Sequence, residues 1–201
     1  ADVPMSSSVR RILYVSSEGS HREHEIFPQV NQEVLEAISE TAAVVYGCGS
    51  LYTSICPSLI LGGVGEAIAA LQRPKLALLN GSLDRETSGM TATGVVLALT
   101  AALNRSHSSR QCTTLNHPPS AYITTLLVPR NGEIEIKMSQ LEHLGIKVVM
   151  VDSVMEDGQI LFEPRALVDT LKEQVCTFKS DGHNEHLCRV PPLEDEESVR
   201  L

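Results

Sequence analysis

Residues 43–57 have the sequence AVVYGCGSLYTSICP, in which an apolar run leads into a polar turn containing two glycines. The apolar run predicts a buried strand, and the segment after the turn can begin a helix. Glycine lets the backbone approach a ligand closely, and the first turn of a helix offers unpaired N–H groups to an anion. We therefore expect a phosphate to be held by the glycines and small hydroxyls of this turn, namely Gly47, Gly49, Ser50, Thr53 and Ser54.

A simpler interpretation of this turn stays open. Gly47 and Gly49 are able to hold left-handed torsions, but an ordinary strand-to-helix turn with Ser50 as the N-cap explains the same spacing. The turn is not a P-loop, because the terminal Gly-Lys-Ser/Thr of that motif is absent.

A second polar turn follows the next predicted strand. Residues 75–79 form the strand, and residues 80–87 after it read NGSLDRET. Two such turns at the carboxyl ends of parallel strands are typical of α/β proteins that bind phosphate-bearing ligands. Here the carboxylate of Asp84 is expected to hold a divalent metal against a phosphate, and Arg85 to grip the phosphate itself. A solvated charged loop is the alternative.

Composition narrows the class of partner. The chain has 201 residues, 42% of them hydrophobic, and a net charge of −9, which argues against nucleic acid as the main partner. No apolar run is long enough for a membrane span, so no membrane partner is expected. The five cysteines are odd in number and scattered, which favours free thiols in the cytoplasm, or in an organelle if a transit peptide precedes the segment.

Predicted strands alternate with predicted helices along the chain. The strands are residues 11–16, 43–46, 75–79, 122–128 and 147–151, and the helices are residues 33–40, 52–71, 91–104, 138–144 and 164–178. This order predicts an α/β fold with a mostly parallel sheet and helices on both faces. We expect one domain over residues 1–179 and a polar, acidic tail over residues 180–201.

Three weaker patterns carry less information. Residues 62–66, GGVGE, fail the dinucleotide-binding pattern and are better explained as a kink in the helix at 52–71, together with Pro57. His21-x-x-His24 and His183-x-x-His186 with Cys188 have metal-like spacing. Surface histidines are the simpler interpretation for His21, His183 and His186, while a role for His24 stays open. No Gly-x-Ser-x-Gly elbow is present, so nucleophilic catalysis has little support.

Residues 47–57, with the pattern Gly-x-Gly-Ser-Leu-Tyr-Thr-Ser-Ile-x-Pro, resemble the signature of the CofD/YvcK-like family. Upstream, Glu18-Gly19-Ser20 and His24-Glu25-x-Phe27-Pro28 resemble the segment before that signature. Downstream, Asn80 and residues 86–93 resemble the family's second turn and its helix. The resemblance covers about residues 10–178 and looks closest to the plant, algal and fungal branch.

The resemblance implies a Rossmann-like fold and one of two functions. In the transferase branch, typified by 2-phospho-L-lactate transferase, a phospholactyl group moves from a guanosine diphosphate carrier to a deazaflavin hydroxyl, with Mg²⁺. In the YvcK branch, a nucleotide sugar is bound by a regulatory protein. The implied partners are a nucleotide-diphosphate conjugate or a nucleotide sugar, with a homodimer as a further expectation. The implied roles are catalytic for Asp84, Arg85 and Glu86, phosphate-binding for Asn80 and the first turn, and substrate-side for His24 and Thr87.

Two departures from the family pattern bear on function. The family's opening Gly-Gly-Gly-Thr-Gly turn and its Asp-Asp-Gly-Gly stretch are absent, so the chain resembles a C-terminal part that lacks the N-terminal strand and glycine-rich loop. The family often has Asp-His where Gly94-Val95 stand here, which puts the substrate in question. We expect a CofD-like transferase, with a nucleotide-sugar-binding regulator and a truncated, inactive product as alternatives.

Overall fold

The computed structural model describes residues 9–18, 22–106 and 114–180, and the side chains up to residue 178. The tail predicted from residue 180 lies outside these residues except for its first one, with which the last helix ends. Also outside them lie Gly19, Ser20 and, from the histidine patterns, His21, His183, His186 and Cys188.

The elements follow one another as β1 (Tyr14–Ser16), β2 (His24–Ile26), α1 (Gln32–Glu40), β3 (Val44–Tyr46), a π-helical turn (Leu51–Ile55), α2 (Cys56–Leu59), α3 (Val64–Ala70), β4 (Lys75–Leu78), α4 (Ala92–Asn104), a 3-10 turn (Pro119–Ala121), β5 (Thr125–Pro129), α5 (Met138–His143), β6 (Lys147–Val151), β7 (Ser153–Glu156), β8 (Gln159–Phe162) and α6 (Pro164–Ser180). Strands β3, β4, β5 and β6 form a parallel sheet in that order. The predicted α/β fold with a mostly parallel sheet is therefore confirmed. Among the described helices, none is both long and apolar enough to cross a lipid bilayer.

Helices cover both faces of this sheet. On one face Tyr46, Ala77 and Leu126 lie side by side in neighbouring strands and are buried in the main apolar core. Val148 of β6 is paired with Leu126 and shares its face. Side chains alternate between the two faces along a strand, so the preceding residue, Lys147, points to the opposite face. Lys147 Nζ donates to Gln174 Oε1 of α6 over 2.9 Å, which places α6 on that second face.

The predicted long helix at residues 52–71 is broken into separate pieces. The π-helical turn continues into α2, and α3 starts only after Gly63, which has a φ of 98°. A side chain at Gly62 would overlap that of Gln29, whose backbone lies beside it in a parallel bridge. The interpretation of this glycine pair as an interruption of the helix, rather than as a nucleotide fingerprint, agrees with this geometry.

Two antiparallel strand pairs were not predicted as such. Strand β1 pairs with β2, and β7 pairs with β8 through a tight turn at Asp157 and Gly158, which have φ values of 49° and 77°. An Asp-Gly pair with positive φ at both positions is the expected two-residue hairpin turn. The β7–β8 hairpin contributes to the candidate site described next.

Candidate functional site

The two predicted turns meet at one edge of the sheet. Because β3 and β4 are parallel neighbours, residues 47–50 and residues 80–88 leave the sheet at the same edge. Together with the β7–β8 hairpin they border a cavity of about 1160 Å³. Its lining consists of Cys48, Gly49, Ser50, Thr53, Asn80, Gly81, Ser82, Leu83, Asp84, Arg85, Glu86, Ser88, Gln159, Ile160, Leu161 and Phe162.

Hydrogen bonds join the two turns directly. Asn80 Nδ2 donates to the carbonyl oxygen of Gly49 over 2.9 Å, and the Gly49 amide donates to Asn80 Oδ1 over 3.3 Å. One residue further along, Ser50 Oγ donates to Glu86 Oε2. The side chains of Asn80, Ser50 and Glu86 thus hold the first turn against the second. The bonded residues are 31 and 36 positions apart in the chain.

Asp84 organises the second turn. Its Oδ1 accepts hydrogen bonds from the Glu86 amide (2.9 Å), the Thr87 amide (2.9 Å) and Thr87 Oγ1 (2.8 Å). Burial alone raises the pKa of Asp84, but the hydrogen bonds from the Thr87 side chain and from these two amides, together with the nearby Ser50 hydroxyl, outweigh it. The pKa of Asp84 therefore lies below its ordinary value of 3.8, and the carboxylate keeps its charge at neutral pH.

The helix start at the first turn has no side-chain cap. Ser50 has the extended torsions of an N-cap residue, as the simpler interpretation predicts, but its hydroxyl oxygen accepts no capping bond from the helix, and the hydroxyl donates to Glu86 instead. The amides of the following helical turn are therefore left without a side-chain acceptor. That turn is π-helical, a form found in short pieces and often at functional sites. Ser50 and Thr53 both line the cavity, so this helix start borders it.

Arg85 contributes a positive charge to the cavity. Its side chain is exposed and lies in the cavity lining. The ion pairs within the described ranges involve other basic residues, namely Arg11, Arg105, Arg130 and Lys137. The guanidinium of Arg85 is therefore available to an anionic ligand. Its planar fork of N–H donors matches the oxygens of a phosphate.

The β7–β8 hairpin forms a mostly apolar wall that our sequence analysis missed. Ile160, Leu161 and Phe162 line the cavity together with the polar loops. The hairpin packs so closely on Gly81 that a Cβ there would overlap the Ile160 carbonyl oxygen. Asp157-Gly158 was the available signal for this hairpin, but nothing in the sequence linked it to a turn some 75 residues earlier.

Two of the predicted phosphate-binding residues lie outside the cavity lining. Gly47 is not among the glycines with positive φ, and a Cβ added there would meet no atom within 4 Å. Gly47 therefore does not use the left-handed torsion that a glycine allows, whereas Gly49 has a φ of 154°. Ser54 is exposed and lies beside Gly49, where a Cβ would come within 3.2 Å of Ser54 Cβ.

The structure does not bring the two predicted substrate-side residues to the cavity surface. Thr87 is buried, and its hydroxyl donates to Asp84, so it acts within the loop. His24 is an exposed residue of β2, with Nδ1 3.5 Å from the carbonyl oxygen of Arg22. Of the predicted set, the cavity lining contains Gly49, Ser50, Thr53, Asn80, Asp84, Arg85 and Glu86.

Residues 3–160 match the model of the family described as 2-phospho-L-lactate transferase CofD. The chain belongs to this family. It is 30% identical over 156 residues to the uncharacterized protein YNL011C of Saccharomyces cerevisiae, covering 74% of this chain and 34% of that protein, which fits the predicted fungal branch. It is 26% identical over 148 residues to a putative gluconeogenesis factor of Nostoc sp., covering 72% of this chain and 32% of that protein.

Solved structures support the same fold. The crystal structure of protein BH3568 from Bacillus halodurans matches with a TM-score of 0.58 and 20% identity, covering 72% of this chain and 47% of that chain. A second crystal structure of BH3568, described as a member of the UPF0052 family, matches with a TM-score of 0.56 and 21% identity. The chain thus spans about a third of the length of the curated relatives and about half of the solved chain.

Proposed function

We propose that the cavity binds a nucleotide-diphosphate conjugate or a nucleotide sugar, and that the protein is a CofD-like transferase which moves the phosphoryl-linked group to an acceptor hydroxyl. The observation that carries this proposal is the uncapped helix start at Ser50, which borders a cavity of about 1160 Å³ beside Arg85. The family's description as 2-phospho-L-lactate transferase supports the reaction class.

The arrangement suits an anionic group. An anion at a helix start gains roughly 0.3–2 kcal/mol from the helix dipole. A hydrogen bond to a charged group such as Arg85 contributes about 1.5–3 kcal/mol. Positioning and charge neutralisation do most of the work in phosphoryl transfer, so the absence of a recognised nucleophile motif is compatible with catalysis.

Magnesium would be held by Asp84 and Glu86 together with phosphate oxygens of the substrate. Mg²⁺ is often bound by one or two carboxylates plus substrate phosphates, and this donor set fits that mode. The described residues contain no cluster of three or more His, Cys, Asp or Glu side chains suited to a metal, so the substrate would supply the remaining ligands. The ion would neutralise negative charge on the phosphate.

One observation favours the alternative, a regulator that binds a nucleotide sugar without turnover. Glu86 already accepts the hydroxyl of Ser50, and Asp84 Oδ1 already accepts three hydrogen bonds within its own loop. Each carboxylate thus has one oxygen already engaged within the protein, whereas a general base must reach the proton of the acceptor hydroxyl. Relatives named gluconeogenesis factor or putative gluconeogenesis factor are compatible with this alternative.

The first experiment is a thermal-shift screen with guanosine and uridine diphosphate conjugates, with and without Mg²⁺. A ligand at 100 times its dissociation constant stabilises the folded state by about 2.7 kcal/mol, which is readily measured. Failure of all these conjugates to raise the melting temperature would overturn the proposed binding function.

A Glu86→Gln variant then separates transferase from regulator. The glutamine can still accept the Ser50 hydrogen bond but cannot take up a proton, so a transferase loses turnover far more than affinity. Release of nucleotide from the bound conjugate, followed by phosphorus NMR, measures turnover. Glu142→Gln on the exposed face of α5 is the matched control. A regulator would show no turnover in any of these proteins and at most a change in affinity.

A further inference from the structure

We propose that Asn80 is a positioning residue, which fixes the first cavity loop through Gly49 and thereby raises ligand affinity without itself contacting the ligand. This inference rests on the proposed phosphate-binding function of the cavity, and it differs from the direct phosphate contact that the sequence predicts for Asn80. The family resemblance alone gives no reason to separate the two roles.

The carboxamide of Asn80 is turned toward Gly49 by two opposed hydrogen bonds. Its Nδ2 donates to the Gly49 carbonyl oxygen over 2.9 Å, and its Oδ1 accepts the Gly49 amide over 3.3 Å. A flipped carboxamide would set N–H against N–H and oxygen against oxygen, so the orientation of the group is determined. Asn80 lies in the cavity lining, but the donor and the acceptor of its amide are both engaged with Gly49.

Gly49 is the residue of the loop that most needs such a constraint. Its φ of 154° lies in a region that L-residues rarely adopt, and it directly precedes Ser50 at the helix start. Glycine has more conformational freedom to lose on ordering than any other residue. The two hydrogen bonds from Asn80 hold both polar groups of Gly49, and so fix the direction in which the chain enters the uncapped helical turn.

Asn80 is itself attached to a rigid part of the fold. The preceding residue, Leu79, is 2% exposed, and its amide donates to the Leu127 carbonyl oxygen over 2.9 Å, which extends the β4–β5 pairing beyond the end of β4. The position of Asn80 is therefore set by the sheet. Through Asn80, the sheet determines where Gly49 and the amides after it lie relative to Arg85.

Hydrogen exchange of the Gly49 amide tests the contact in the full chain without ligand. In Asn80→Leu the amide loses its acceptor, and we expect its exchange to be faster by about tenfold or more. Ser82→Ala, a change in the same cavity lining, is the matched control and should leave the exchange unchanged. Equal exchange in wild type and Asn80→Leu would overturn the proposal.

Ligand binding tests the consequence, with guanosine diphosphate as the probe. Asn80→Asp keeps the acceptor for the Gly49 amide but places a carboxylate oxygen against the Gly49 carbonyl oxygen. We therefore expect binding of guanosine diphosphate about tenfold weaker than in wild type at neutral pH. Protonation of the introduced carboxyl restores a donor. The restored donor and the loss of repulsion between the carboxylate and the phosphates should both shrink the affinity deficit relative to wild type as the pH falls, whereas the deficit of Asn80→Leu should not change.

The outcomes separate this inference from the proposed function. If wild type fails to bind guanosine diphosphate and the other conjugates, the proposed function falls, and the affinity role of Asn80 falls with it. If wild type binds and Asn80→Leu binds equally well, the positioning role alone is overturned. Weaker binding by Asn80→Leu with an unchanged exchange rate at the Gly49 amide overturns it too, because a direct ligand contact would lower the affinity without loosening the loop.

Discussion

At the scale of single residues, Arg85 carries the charge expected to attract the ligand. We expect Arg85→Gln to weaken binding of guanosine diphosphate by about tenfold or more, because a charge-assisted hydrogen bond to phosphate is replaced by a neutral one. Isothermal titration calorimetry measures the change. Arg130→Gln, which removes an exposed cation paired with Asp152 outside the cavity lining, is the control and should bind normally. Equal affinities for the two variants would contradict a role for Arg85.

The ionisation of Asp84 makes the stability of the fold depend on pH. Its pKa is lower in the folded protein than its ordinary value of 3.8, because hydrogen bonds to the carboxylate outweigh burial. A group of this kind stabilises the fold above its unfolded pKa, and the contribution is lost as the pH falls through the folded pKa. Asp84→Asn should therefore flatten the loss of stability below about pH 4 in urea unfolding curves.

The control for this prediction is Asp152→Asn, which changes an exposed carboxylate of the Arg130 pair. It should leave the slope of stability against pH near that of wild type. An Asp84→Asn protein with the wild-type acid slope would show that the hydrogen bonds to Asp84 do not stabilise the charged form.

At the scale of elements, the β7–β8 hairpin depends on a glycine in another loop. Gly81→Ala should displace the hairpin from the cavity, because a Cβ would overlap the Ile160 carbonyl oxygen. We expect faster hydrogen exchange in residues 153–162 and weaker conjugate binding, with the parallel sheet retained. Gly47→Ala is the control, since a Cβ at Gly47 has no atom within 4 Å. Unchanged exchange in the hairpin would show that the close approach is not needed.

The strands also show which parts of the fold can be predicted from sequence patterns. The strands of the parallel sheet were predictable because their apolar runs, such as residues 75–79 and 147–151, are bounded by turn residues. The β7–β8 pair was missed because its register and location depend on Asp157-Gly158 and on packing against a distant loop. The predicted strand at residues 122–128 starts later, at Thr125, because the chain first forms a 3-10 turn that Tyr122 closes.

The candidate site was predictable only in outline. Parallel pairing of β3 and β4 brings the two turns together, and this follows from the order of elements. The partners of Asn80, Ser50 and Thr87 do not follow from it, because they depend on side-chain directions within loops. The sequence also did not show which glycine of the first turn needs an unusual torsion. Gly47 and Gly49 have similar surroundings in the sequence, yet of the two only Gly49 has a positive φ.

At the scale of the whole molecule, the apolar core between the sheet and its helices supports the site. Leu126 in β5 is 1% exposed, and Leu126→Ala should lower the free energy of unfolding by about 2–5 kcal/mol through lost burial and a cavity. Urea unfolding with an unchanged m-value checks this. Val45→Ala, at a β3 position that is 47% exposed, should cost much less. Similar losses for both variants would contradict the assigned core.

The placement of Cys48 gives the cavity a chemical reporter. Its thiol is exposed in the cavity lining, while Cys56 is buried and Cys176 is exposed on α6. Partial burial raises the pKa of the Cys48 thiol, so alkylation by a maleimide should accelerate as the solution becomes more alkaline. Saturating guanosine diphosphate should shield Cys48 but not Cys176, as peptide mass spectrometry can record. Equal labelling of Cys48 with and without the nucleotide would mean that the occupant sits elsewhere.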